Sequence, residues 1–175
     1  IQKANAEGND ALVKHLQEEG MKITDFQPDF AGREYLIQRQ LKPEARGDII
    51  ALLKENNIHP TAMMDISDGL SSELLHICRQ SHCGCRIYEK KIPIDYQTAV
   101  TAEELNMNVT TCAMNGVEDY ELLFTCPIGD HEKLNALEHK GIRQIGYITK
   151  KELGTRLLSR DNKEFDITAQ GWKAF

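Results

Sequence analysis

Ala62-Met63-Met64-Asp65-Ile66-Ser67-Asp68-Gly69-Leu70 runs without a break into Ser71-Ser72-Glu73-Leu74-Leu75-His76-Ile77-Cys78. The first part is a short apolar run that ends in two carboxylates and a hydroxyl. The second part puts Leu70, Leu74, Ile77 and Cys78 on one face at helical spacing. The stretch therefore reads as strand, acidic turn and helix. Asp65, Ser67 and Asp68 fall where a buried strand gives way to a helix N-terminus. The unpaired N–H groups and partial positive charge there suit an anion such as phosphate. Two carboxylates beside a phosphate repel it unless a hard divalent cation such as Mg²⁺ lies between them. A Mg²⁺–phosphate site is one reading of the turn. Asp and Ser are also common N-caps and Asp-Gly is a common turn, so capping accounts for the same residues. An EF-hand is excluded: counting from Asp65, its sixth and twelfth positions fall on Leu70 and His76 rather than Gly and Glu.

Outward from this stretch, apolar spacing and Gly/Pro punctuation predict the neighbouring elements. Upstream, a helix is expected over Asp10 to Glu19, stopped by Gly20, followed by a connection over 20–30 containing Pro28. A short helix at 35–41 ends before Pro43, and another covers 44–56 with Ile49, Ile50, Leu52 and Leu53 apolar. Downstream, the helix over 70–81 is expected to close at Gly84 as its C′ residue, ahead of a strand at Arg86-Ile87-Tyr88. Lys91 to Asp95 reads as an extended connector, because Pro93 does not fit a central strand. Thr101-x-x-Glu104 has capping-box spacing and marks the start of a helix. A helical turn at 109–114 ends at Asn115-Gly116. A strand at 120–125, a helix at 130–140 closed by Gly141, a strand at 142–149 and a hairpin turning at Asp161-Asn162 complete the pattern. Mixed strands and helices imply an α/β (α+β) sandwich, a mixed sheet with helices packed on it.

The 175 residues suffice for one domain with a real core. A net charge of -6 and the lack of any Lys/Arg block longer than two argue against a nucleic-acid partner. No apolar run reaches membrane-spanning length and no signal-peptide pattern opens the chain, so no membrane partner is expected. The start at Ile1, without Met, reads as a fragment or processed form. Cys78, Cys83, Cys85, Cys112 and Cys126 are odd in number and lack C-x-x-C pairs, which fits a reducing cytoplasm better than a disulfide framework or zinc site. Cys83-Gly84-Cys85 admits a redox or metal role, or two small buried thiols.

Glu118 and Asp119 stand directly ahead of an apolar strand. Strand alternation allows only one of them to face a given cleft, and a solvated strand entry is the plain alternative. Trp172 serves either as core packing or as a stacking surface for a flat or cationic ligand. His76 lies two turns from the acidic end of its helix, and the other five histidines have no partners at ligand spacing. No G-x-S-x-G, Walker loop or G-x-G-x-x-G occurs.

Taken in order, Tyr35-Leu36-Ile37-Gln38-Arg39, Leu41-Lys42-Pro43, Met64-Asp65-Ile66-Ser67-Asp68-Gly69-Leu70, Cys83-Gly84, Lys91-Ile92-Pro93-Ile94-Asp95, Glu118-Asp119-Tyr120-Glu121-Leu122-Leu123-Phe124, Ile145-Gly146 and Gly171-Trp172 form a specific series. From about Tyr35 onward the chain resembles the C-terminal part of the thiamine-monophosphate kinase family, within the aminoimidazole-ribonucleotide-synthetase-like superfamily. The resemblance implies an ATP-dependent kinase that converts thiamine monophosphate to thiamine diphosphate, with Mg²⁺ as cofactor and ATP as co-substrate. It implies Asp65 and Asp68 as Mg²⁺ ligands, Ser67 as a contact to the ATP phosphates, and Glu118 and Trp172 as the holders of thiamine. No catalytic residue is expected: the acceptor phosphate, with a second pKa of about 6, is already largely ionised near neutral pH. Catalysis then rests on positioning and charge neutralisation.

The chain departs from the family in having Gly116-Val117 where Gly-Gly is usual, so a Cβ crowds the approach to Glu118. The whole of residues 1–175 is expected to be one domain, the C-terminal half of a two-domain kinase whose N-terminal ATP-binding domain lies outside it. The resemblance further implies a homodimer formed through that N-terminal domain, and a monomeric, inactive chain without it. Two other readings stand beside this one. One is a related enzyme with a different acceptor; the other is a non-catalytic ligand-binding module on the same fold.

Overall fold

The structure, a computed structural model, describes residues 31–116 and 118–169. The helix expected over Asp10 to Glu19, the connection at 20–30, Val117 and Trp172 lie outside the described residues. The described residues from Arg33 onward belong to one compact unit.

Pro43 sets the end of the first described helix, α1 (Glu34–Leu41), and α2 (Gly47–Glu55) follows. On α2 the helical period buries Ile49, Leu52 and Leu53 and turns Ile50 outward, 46% exposed. Strand β1 (Ala62–Asp65) leads through the acidic turn into α3 (Leu70–Gln80), on which Leu70, Leu74, Ile77 and Cys78 are all buried, as their spacing requires. Then come β2 (Cys83–Tyr88), α4 (Tyr96–Glu104) and α5 (Val109–Asn115). Last are β3 (Leu122–Thr125), α6 (His131–Ala136), β4 (Gly146–Lys150), β5 (Thr155–Leu158) and β6 (Glu164–Asp166).

The strands form two groups. β1 and β3 make an antiparallel ladder in the register Met63↔Phe124 and Met64↔Leu123. Strand alternation divides their side chains between two cores. Ala62, Met64 and Leu123 pack with α3, α5 and β2, while Met63, Leu122 and Phe124 pack with α2, α6, Ile58 and Ile142. The ladder is thus covered by helices on both faces, which explains its uninterrupted apolar sequence. The other four strands form a mixed sheet in the order β4-β2-β5-β6, with β2 parallel to β5 and antiparallel to β4. Cys85, Ile87 and Leu157 turn inward from it. The sandwich of helices on a mixed sheet matches the expected fold class.

Two local expectations fail for identifiable reasons. Gly84 does not end α3. The helix closes at Ser81, His82 takes the left-handed conformation at φ +52°, and Gly84 lies inside β2. Glycine is needed there because a Cβ would collide with the Gly154 carbonyl oxygen and Thr149 Oγ1. Thr101-x-x-Glu104 does not begin a helix either: it falls in the last turns of α4. Asp95 is the true N-cap, its carboxylate accepting a 2.7 Å hydrogen bond from Gln97 N–H.

Among the described residues no helix is long and apolar enough to cross a membrane.

Candidate functional site

The ladder of β1 and β3 continues past its last regular pair as three backbone hydrogen bonds. Ile66 N–H donates to Glu121 O at 2.8 Å, Tyr120 N–H to Ile66 O at 2.8 Å, and Glu118 N–H to Ser67 O at 2.7 Å. At about 1 kcal/mol each, these bonds hold the turn of Asp65, Ser67 and Asp68 to the loop of Glu118 and Asp119 with roughly 3 kcal/mol. Two motifs some fifty residues apart in sequence are therefore one piece of backbone.

Each side of this junction has a conformation that its sequence explains in part. Gly69 is the N-cap of α3 at φ +102°, so neither Ser67 nor Asp68 fills the capping position. A Cβ at Gly69 would stand 3.0 Å from the Asn115 Cα, at the end of α5. Across the junction, Glu118 and Tyr120 are both left-handed, at φ +63° and +55°. Strand alternation does not apply to such a loop. Contrary to the sequence expectation, Glu118 and Asp119 both line the same cleft, of about 1300 Å³. Arg39, Ile66, Lys91 and Glu121 share its wall. Asp65, Ser67 and Asp68 lie outside that wall, in the adjoining turn, with both aspartates exposed and Ser67 half-buried.

Helix α1 and the residues after it supply groups that sequence reasoning assigned no role. The Arg39 guanidinium donates to Asp119 O at 2.7 Å, Asp119 Oδ1 at 3.0 Å and Glu121 Oε1 at 2.8 Å. Arg46 pairs with the other oxygen of Glu121 and with both oxygens of Asp48. The Gln40 side-chain amide donates to Glu118 Oε2. The Arg46 hydrogen bonds hold the Asp48 carboxyl below the usual carboxylate range. Burial, then the nearby Asp95 carboxylate, pushes the Tyr35 phenol up. Arg39 stood within the motif series, but a contact across eighty residues leaves no periodic signal.

Among the described residues no group of three or more His, Cys, Asp or Glu is arranged to hold a metal. The donor set of the acidic turn nevertheless fits Mg²⁺. That ion takes one or two carboxylates together with phosphate oxygens and waters, and the turn offers two accessible carboxylates and a hydroxyl. The five cysteines are free thiols, with Cys78 and Cys85 buried and both pushed up by that burial.

Residues 7–158 match the family model described as AIR synthase related protein, C-terminal domain. The chain is similar to the thiamine-monophosphate kinase of Buchnera aphidicola subsp. Schizaphis graminum, 39% identical over 134 residues, covering 74% of this chain and 39% of that protein. It is similar to that of Escherichia coli O157:H7, 32% identical over 152 residues, covering 84% of this chain and 44% of the relative. It also resembles a solved structure described as AaThiL complexed with AMPPCP and TMP, with TM-score 0.67 and 30% identity, covering 93% of this chain and 46% of that one. The chain thus spans less than half the length of each of these relatives.

Proposed function

The chain belongs to the family of AIR synthase related proteins by its C-terminal domain, and from that membership we propose that it is the C-terminal half of an ATP-dependent thiamine-monophosphate kinase. The observation that carries the reading is the backbone junction: it joins the turn suited to metal and phosphate to the loop suited to a cationic acceptor. In this reading Glu118 and Trp172 hold thiamine, whose permanent positive charge and flat ring suit a carboxylate and an indole. The Ser67 hydroxyl contacts ATP phosphate. Asp65 and Asp68 hold Mg²⁺, which supplies charge neutralisation for the transferring phosphoryl group. The acceptor phosphate is already ionised, so the chain need not remove a proton; its residues hold the two phosphates in line. An N-terminal ATP-binding domain outside this chain completes the site and forms a homodimer. The whole works in the cytoplasm, where its thiols stay reduced.

Calorimetric titration of thiamine monophosphate tests this. The chain is expected to bind in Mg²⁺ and to lose most of that affinity in EDTA. Glu118→Gln combined with Trp172→Ala is expected to weaken binding by about thirtyfold or more, the loss of a charged contact and a stacking surface. Unchanged binding in the double variant, or binding indifferent to Mg²⁺, overturns the proposal.

A further inference from the structure

Among the described residues Glu73 is the only buried charged residue, at 2% exposure. It sits in the first turn of α3 with Leu70, Leu74 and Ile77, all buried apolar residues. A carboxylate there is costly unless it is paired or hydrogen-bonded. Among the described residues no Lys, Arg or His forms an ion pair with it. Its side-chain partner is a backbone group of the acidic turn: Glu73 Oε1 accepts from Asp68 N–H at 3.0 Å. The Glu73 backbone N–H also donates to Gly69 O at 3.2 Å. Glu73 therefore grips both ends of the Asp68–Gly69 dipeptide. The Glu118–Glu121 loop fixes the turn at Ile66 and Ser67, leaving Asp68 N–H to be fixed from the helix side. An apolar residue at position 73 would fill the space without a desolvation cost but could not accept that hydrogen bond.

We infer that Glu73 is the positioning residue of the acidic turn, its carboxylate holding the Asp68 peptide so that Asp65 and Asp68 are presented together to a divalent cation. Glu73 itself touches neither metal nor phosphate. The inference rests on the proposed reading of Asp65 and Asp68 as metal ligands, and one arm of the test is independent of that reading.

The test compares the full chain with Glu73→Gln, which keeps an acceptor oxygen at the same reach, and Glu73→Met, which keeps the bulk and loses the acceptor. Two quantities are read: hydrogen exchange of the Asp68 amide by NMR, and Mn²⁺ affinity by electron paramagnetic resonance. Glu73→Gln is expected to stay within about twofold of the parent in both, and Glu73→Met to lose about tenfold or more in both while keeping its helical circular dichroism. Should Glu73→Met not fold, Glu73→Asp, too short to reach Asp68, replaces it with the same expectation. Parent-like exchange in the variant lacking the acceptor, or a glutamine variant as impaired as the methionine one, overturns the inference. If the parent binds no Mn²⁺, the metal reading fails, and the exchange rates alone decide whether Glu73 holds the turn.

Discussion

Gly69 takes a φ of +102° with Asn115 backbone packed against the position where a Cβ would point. Both facts weigh against any other residue: a side chain is strained in that conformation and meets main chain that does not swing away. Gly69→Ala is therefore expected to lower the unfolding free energy by about 1–3 kcal/mol, the cost of one forced backbone conformation. Urea unfolding followed by circular dichroism checks this, and a loss below about 0.5 kcal/mol would count against the packing described. Glu118 and Tyr120 also hold a positive φ, at +63° and +55°, without the freedom of glycine. Such strain persists only where the surroundings hold it, and here the holding groups are the hydrogen bonds to Ile66 and Ser67.

Helix α2 shows how far one element can be read from periodicity. Its inner face is legible in the sequence: Leu53→Ala, at 2% exposure, is expected to cost about 2–5 kcal/mol, whereas Ile50→Ala on the outer face should cost less than about 0.5 kcal/mol. Paired thermal denaturation of the two variants separates them. Its N-terminal electrostatics are not legible, because they depend on where Arg46 points. Arg46 depresses the folded-state pKa of Asp48 below its unfolded-chain value. The pair's contribution is therefore fully present above an unfolded carboxylate pKa of about 3.9 and is lost as pH falls through the lower folded value. The stability gap between the parent and Asp48→Asn is expected to be constant above about pH 5 and to shrink below about pH 4, as measured by urea unfolding at each pH. The same contrast runs through the other elements. The core face of α3 and the turn at Asp161-Asn162 follow from local pattern, and Asn162 indeed takes a positive φ of 62°. The left-handed Glu118, bonded to Ser67, and the clamp of Arg39 on Asp119 are set by tertiary contacts, which local pattern does not encode, whereas the N-cap at Asp95 is a local bond from Gln97 N–H.

At the scale of the whole molecule, the chain carries one side of a proposed two-sided site. With Mg²⁺, ATP and thiamine monophosphate supplied, the 175 residues alone are expected to give no thiamine diphosphate above background by chromatography; sustained turnover would mean that the site is complete without a second domain. The candidate residues were legible because each motif is compact in sequence. Their junction was not, since it consists of main-chain hydrogen bonds between segments far apart along the chain. That junction also decides where the chain tolerates a change of length. One residue spliced into 66–68 or 118–121 would shift every later donor past its acceptor and carry the two loops out of step. Among the described residues the hairpin tip at 160–163 is hydrogen-bonded to Ser159 and to the Glu89 carboxylate and forms no hydrogen bond or ion pair with either loop. A fluorophore or peptide tag spliced in there would leave the count between the two loops untouched.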